Sequence, residues 1–335
     1  MEYYIVNKEG KTQVILQNAI SISWKPRYTE SGKAEIHVNP TQENIDNLKI
    51  GNRVICKTRA EIMYIDYVHY EGSEIIARGY LDNLGDRINT NTMTINNVSN
   101  LKDLVNNNKR GLDISCVNSV FKSVQPLETT YQTLRETFKK VCGIANVGYR
   151  EVVKSGKLNQ LEFYEGGRKS VRFSDSLGNI IDQEMTKDLG EYGNYLYVYG
   201  CEQDGIRKHI ELDHTNGEPR KEVYIDARDL QQKNDKINLT DSEYESQLRA
   251  RGEQKYQELL SKAIGYKFTI AIDDQRSLLG RDFDIGDVVP VISTRFGLRN
   301  MVRVSGINFM EELGKTKTTL ELTIEEMEIL QTWKN

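Results

Sequence analysis

The chain is poor in the residues that usually carry chemistry. Its 335 residues include four histidines, and its four cysteines, Cys56, Cys116, Cys142 and Cys201, are scattered with no CxxC pair. A thiolate metal or redox site needs clustered ligands, so four reduced, mostly buried thiols are expected. No GxSxG elbow, HExxH pair or Walker-type glycine loop occurs, so the local signatures of those hydrolases and NTPases are missing. No run of about 18 apolar residues is present, so no membrane insertion is expected. The first residues, MEYYIVNKEG, lack the basic and apolar regions of a secretory signal. The expectation is a soluble protein made and assembled in a cytoplasm. A basic excess is lacking too: the formal charge is −4 and the pI about 5.8. Phosphate contacts need a basic face, so sequence-specific DNA or RNA binding is not expected.

Ordered structure is well signalled. Charged residues make up 28% of the chain, yet it holds 18 tyrosines and many Ile and Val in periodic segments, unlike a disordered chain. The length suggests roughly two domains at about 150 residues each. Tyr3 to Val6 and Val14 to Leu16 predict a hairpin across Lys8–Lys11. Ser21 to Trp24 and Ala34 to Val38 alternate as half-buried strands do, and a short helix is predicted from Gln42 to Leu48. Strands are predicted at Arg53–Lys57, Ile62–Tyr70 and Ser73–Tyr80. From about residue 93 the character changes to α+β. Ser99 is placed to cap one helix, and Thr129 or Thr130 another that ends at Gly143. Strands follow at Gly148–Val153 and Gln160–Tyr164. A third region has strands at Tyr195–Tyr199, His209–Leu212 and Val223–Ile225. A helix is then predicted over about 241–264, with Ser242 and Glu245 as a capping box and Gly265 as its stop. Strands at Lys267–Ile272, Val288–Ile292, Met301–Phe309 and Thr318–Ile324 complete the chain.

The two ends of the chain share a pattern. Lys49-Ile50-Gly51-Asn52-Arg53-Val54 aligns with Asp284-Ile285-Gly286-Asp287-Val288-Val289, identical at three of six positions. Ile36-x-Val38 aligns with Ile270-x-Ile272 at nearly the same offset. Each hexapeptide precedes a strand and a hairpin, which reads as an internal repeat. Gly51 and Gly286 supply the turn conformation, and Asn52 or Asp287 can bond the turn backbone.

Candidate catalytic sets are thin. His37 and His69 lie within strand patterns. His209, Glu211 and Asp213 share one strand face, beside His214. A charged exposed face is the expectation there, not zinc. Asp282, Asp284 and Asp287 lack the spacing of a calcium loop and read as a loop-to-strand turn. Cys142 with a distant histidine is the one nucleophile set worth naming, and the expectation is no enzyme, no cofactor and no metal site.

Three stretches resemble the phage tail hub or baseplate hub proteins, the siphophage tail protein and prophage baseplate protein type. They are Trp24–Tyr28 with Ser31–Pro40 and Asn47–Asn52; Asn194–Gly200 with Pro219–Glu222 and Asp226–Asp229; and Leu279–Val289. The resemblance implies an α+β, mainly β fold: two tail-tube-like β-barrel or sandwich domains with a small inserted α+β domain. The expected boundaries are 1–92, 93–175 and 176–335, the last holding the long helix near 241–264. It implies a structural virion component at the distal end of a phage or phage-like tail tube, assembled in the bacterial cytoplasm. There it would initiate the tube and adapt its six-fold symmetry to a three-fold spike or fibre. The implied partners are two further copies of itself as a homotrimer, the tail tube protein, a spike, fibre or tape-measure protein, and other baseplate proteins. DNA would be passing cargo only, through a pore richer in Asp and Glu than in Lys and Arg. Hubs of this type can carry C-terminal enzymatic domains, and a chain that stops at Trp333-Lys334-Asn335 is expected to lack one. The alternatives are a tail-associated cell-wall hydrolase, or a receptor-binding module using the tyrosines at 64–80 or 195–199 as stacking faces.

Overall fold

The computed structural model describes residues 2–16, 19–154, 157–203, 205–233, 238–270, 279–312 and 314–324. They form two compact units: residues 2–183 with 267–324, and residues 184–266.

The first unit opens with β1 (Tyr3–Val6) and β2 (Thr12–Ile15), joined through a turn at Gly10 as the hairpin signal predicts. Then come β3 (Ala19–Lys25), β4 (Lys33–Val38), α1 (Gln42–Asn47), β5 (Arg53–Cys56), β6 (Glu61–Tyr70) and β7 (Ile75–Tyr80). Alternation along β3 and β4 buries Ile22, Trp24, Ala34, Ile36 and Val38 on one face, because successive strand residues point to opposite sides. Antiparallel pairing gives the order β3-β4-β7-β6-β5-β1.

The middle segment carries β8 (Met93–Asn97), α2 (Asn100–Asn108), β9 (Ser115–Cys116), β10 (Ser123–Thr129), α3 (Leu134–Ala145), β11 (Gly148–Lys154) and β12 (Lys157–Tyr164). Leu101, Leu104, Val105, Phe138, Val141 and Cys142 form its core against β11 and β12. The start of α3 differs from expectation. Thr133 caps it, not Thr129 or Thr130, in a reciprocal box with Glu136. The helix runs through Gly143 and stops where Asn146 turns left-handed at φ 51°. Asn tolerates that region, so it serves as the stop glycine would. Ser99 makes no side-chain cap to α2. The Asn100 side chain instead accepts from the Asn96 and Asn97 backbone N–H groups.

The remaining strands of this unit are β13 (Phe173–Ser174), β19 (Val288–Ser293), β20 (Leu298–Glu312) and β21 (Lys315–Ile324), with β14 (Ile180–Lys187) and β18 (Ile264–Ile270) running across its boundaries. One curled sheet runs in the order β14-β18-β21-β20-β3-β4-β7-β6-β11-β12-β9. The fold is mainly β, as expected. Ile272 and Trp333–Asn335, which entered the sequence reading, lie outside the described residues.

The second unit holds β15 (Tyr195–Gln203), β16 (Ile206–Asp213), β17 (Glu222–Asp226) and α4 (Asp241–Ala263). Strand order is β16-β15-β17, with β17 parallel to β15. The long helix therefore stands in this compact unit, and the strands of the second β region come from both sides of it in sequence. Leu196, Val198 and Leu212 face α4, and a Cβ at Gly252 would overlap Leu212 and Val198. That glycine sets how closely helix and sheet approach. Thr240 caps α4 reciprocally with Glu243, displacing the expected Ser242–Glu245 pair, and Gly265 falls within β18.

Candidate functional site: the seam between two repeated modules

The Gly51 and Gly286 turns have the same backbone. Their φ angles are 88° and 91°, a region that favours glycine. Gly51 N–H donates to Ile65 O, Ile65 N–H to Asn52 O, and Asn52 N–H to Lys49 O, each at 3.0 Å. In the second copy Gly286 N–H donates to Val304 O, Val304 N–H to Asp287 O, and Asp287 N–H to Asp284 O, at 2.7, 2.9 and 3.1 Å. Both long strands carry an irregularity just after the matched residue, between Ile65 and Tyr67 and between Val304 and Gly306. The neighbours also correspond: β4-β7-β6-β5 in one module, β18-β21-β20-β19 in the other.

The modules join where β20 pairs antiparallel with β3, setting Phe309 opposite Trp24 and Met310 opposite Ser23. A buried polar chain crosses this seam. The Trp24 indole N–H donates to Glu61 Oε2 at 2.8 Å. Arg59 donates to Glu61 Oε1 at 3.0 Å and, from its other end, to Asp284 Oδ1 at 3.1 Å. Burial works against the Arg59 charge, but the Glu61 and Asp284 carboxylates hold its pKa above the usual value. On the more open side Arg27 bonds Asn308 and Glu321.

Tyr28 pins three segments together. It is almost fully buried, and its ring lies where a Cβ at Gly148 or Gly286 would overlap it. Its hydroxyl donates to Asn146 O at 3.1 Å and accepts from Gly166 N–H at 3.3 Å. Its backbone donates to Ser305 O and accepts from Tyr149 N–H. Trp24 and Tyr28 belong to the first stretch singled out in the sequence. Arg59 and Glu61 were missed. Their signal, an acid opening an apolar strand, does not reveal that it faces inward.

The sequence candidates are dispersed. His37 lies between Glu35 and Glu74, at 2.8 and 2.9 Å; burial opposes its charge, but the two carboxylates raise its pKa. His69 meets Glu71 on the surface. His209 stacks on Tyr199, and His214 on Tyr256 with Glu253 at 3.2 Å. Glu211 bonds the Tyr195 hydroxyl, and Asp213 bonds Thr215. Asp282, Asp284 and Asp287 turn to separate partners: Arg281, Arg59, and the N–H groups of Gly167 and Asp284. Among the described residues no group of three or more His, Cys, Asp or Glu is placed to hold a metal ion. Cys142 is buried in the middle core, where desolvation pushes its thiol pKa far up and opposes the thiolate a nucleophile needs. Tyr64 is half-buried and bonds Glu151 and Asn159, and Tyr80 lies under Arg135 at 3.7 Å. Tyr195, Tyr197 and Tyr199 line the outer face of β15, with Arg220 3.5 Å above the Tyr195 ring. No helix among the described residues is long and apolar enough to cross a membrane.

A family model described as siphovirus ReqiPepy6 Gp37-like protein matches residues 81–324. The chain belongs to this family. No curated protein matches it. Solved structures place this Gp37-like chain among tail-protein folds. It is similar to the 43 kDa tail protein of prophage MuSo2 from Shewanella oneidensis, with TM-score 0.66 and 16% identity over 96% of this chain and 98% of that one. The tail protein from Neisseria meningitidis MC58 follows at 0.62 and 11%, covering 97% and 96%. Prophage tail protein gp18 from Listeria monocytogenes EGD-e gives 0.58 and 11%, covering 99% and 97%. The Gp37-like chain thus has the fold of phage tail proteins.

Proposed function

We propose that this Gp37-like protein is a non-enzymatic hub at the distal end of a phage or phage-like tail tube. The observation that carries the reading is the repeated module, fused by the β3–β20 ladder into one sheet. Two like modules per chain make six near-equivalent positions from three chains. A homotrimer is then the smallest closed ring that can match a six-fold tube on one side and a three-fold spike or fibre on the other. A closed ring also covers strand edges that would otherwise pair without control. In this reading one tube-like domain is residues 1–92. The other is built from residues 173–183 and 267–324, which flank residues 184–266 in sequence. The middle segment sits outside the ring, because its helices have no counterpart in the repeat. The net negative charge suits a lumen that passes DNA without holding it. The tube protein, a spike, fibre or tape-measure protein and other baseplate proteins are the partners.

The test is a reconstruction of the tail tip by electron cryomicroscopy. Three copies around the axis are expected, with the Gly51 and Gly286 turns at like radius. Six copies, or one copy off the axis, overturns the proposal. Wall hydrolysis by the pure protein would overturn its non-enzymatic part.

A further inference from the structure

Among the polar atoms of the first unit that are shielded from solvent and have no hydrogen-bond partner are Asp82 Oδ2 and the Tyr149 hydroxyl. Both residues are nearly fully buried, at 2% exposure each. The other Asp82 oxygen is engaged, accepting from Arg135 Nε at 2.9 Å and Leu84 N–H at 3.1 Å. Asp82 and Tyr149 line the same small cavity, about 20 Å³, between the β3–β4 turn, the end of β7 and the start of β11. Its other walls include Arg27, Glu30, Glu61 and Arg150. Glu61 is taken by Trp24 and Arg59, Glu30 by Lys139, and Arg150 by Glu162.

A buried acceptor or hydroxyl left without a partner forfeits its hydration with nothing in return. A polar cavity of roughly 10–15 Å³ or more holds one water if it offers at least two partners. We infer that this cavity is a built site for one ordered water, which accepts from the Tyr149 hydroxyl and donates to Asp82 Oδ2. The water ties the first module, through Asp82 two residues past β7, to β11 of the middle segment. A metal cation is disfavoured, because the acids around the cavity already face Arg59, Arg135 and Lys139.

A crystal structure of the full chain, at a resolution that shows ordered solvent, tests this. The expected result is one peak at about 2.6–3.0 Å from both atoms. No peak, a direct Tyr149–Asp82 hydrogen bond, or a peak with cation-like contacts of about 2.3–2.6 Å overturns it. Tyr149→Phe supplies a second reading without the crystal. It should lower the melting temperature by about 2–4 °C and leave Asp82 as the sole strong partner, so that the peak weakens or disappears. A Tyr149→Phe protein with unchanged melting temperature and an unchanged peak overturns the assignment of Tyr149.

Discussion

In the first module Gly51 turns the chain in open space, with nothing within 4 Å of where a Cβ would stand. In the second, Gly286 makes the same turn pressed against the Tyr28 ring, with its carbonyl taken by Arg303. The side chains that follow also diverge. Asn52 donates back to Asn47 O at 2.8 Å, whereas Asp287 accepts from the Asp284 and Gly167 N–H groups. A repeat can therefore keep its backbone hydrogen bonds while the packing around each copy specialises. The first copy is a free turn at a sheet margin. The second forms part of the wall of the seam.

The largest effect should come from breaking that seam. Glu61→Ala leaves the Trp24 indole N–H and the buried Arg59 guanidinium without their shared acceptor, and should cost about 3–5 kcal/mol of stability. Urea unfolding measures it; a loss under about 1 kcal/mol would mean the chain is replaced by solvent. The two turns provide the direct comparison. Gly286→Ala adds an overlap with Tyr28 to the strain of positive φ and should cost about 3 kcal/mol, against about 1 kcal/mol for Gly51→Ala. Equal costs would show that packing does not distinguish the copies.

Glu151 makes the next effect pH-dependent. Burial pushes its pKa up to about 8, with Asp82 adding to this, while bonds from Tyr64 and Asn83 pull it back. A carboxyl raised on folding supports the fold fully below its ordinary value near 4.5, and that support is lost as pH rises through about 8. Stability should fall by about 2 kcal/mol between pH 6 and 8. Glu151→Gln should flatten this slope, read by denaturation at each pH. The smallest effect is at the open side of the seam. Arg27 and Glu321 remain 18% and 27% exposed, so Glu321→Gln should cost at most about 1 kcal/mol, and less in high salt.

Period and punctuation carried far in this chain. Alternation at 21–24 and 34–38 located β3 and β4, and the apolar spacing of Leu134, Phe138 and Val141 located α3. The shared Gly turn marked both modules, because a backbone that needs positive φ restricts which residue can stand there. The start of α3 was misplaced by a few residues, while α1, α2 and α4 begin where expected. Thr129, Thr130 and Thr133 all look like caps, and only the path of the entering chain selects one. What tertiary structure decided is which distant residues meet. That β20 would pair with β3, that Glu61 would face Trp24, and that Tyr28 would be held by Gly148 and Gly286 are contacts across 37 to about 290 residues of chain. Local propensity does not extend over such separations. They follow from burying the inner faces of two modules at once, which no single stretch of sequence encodes.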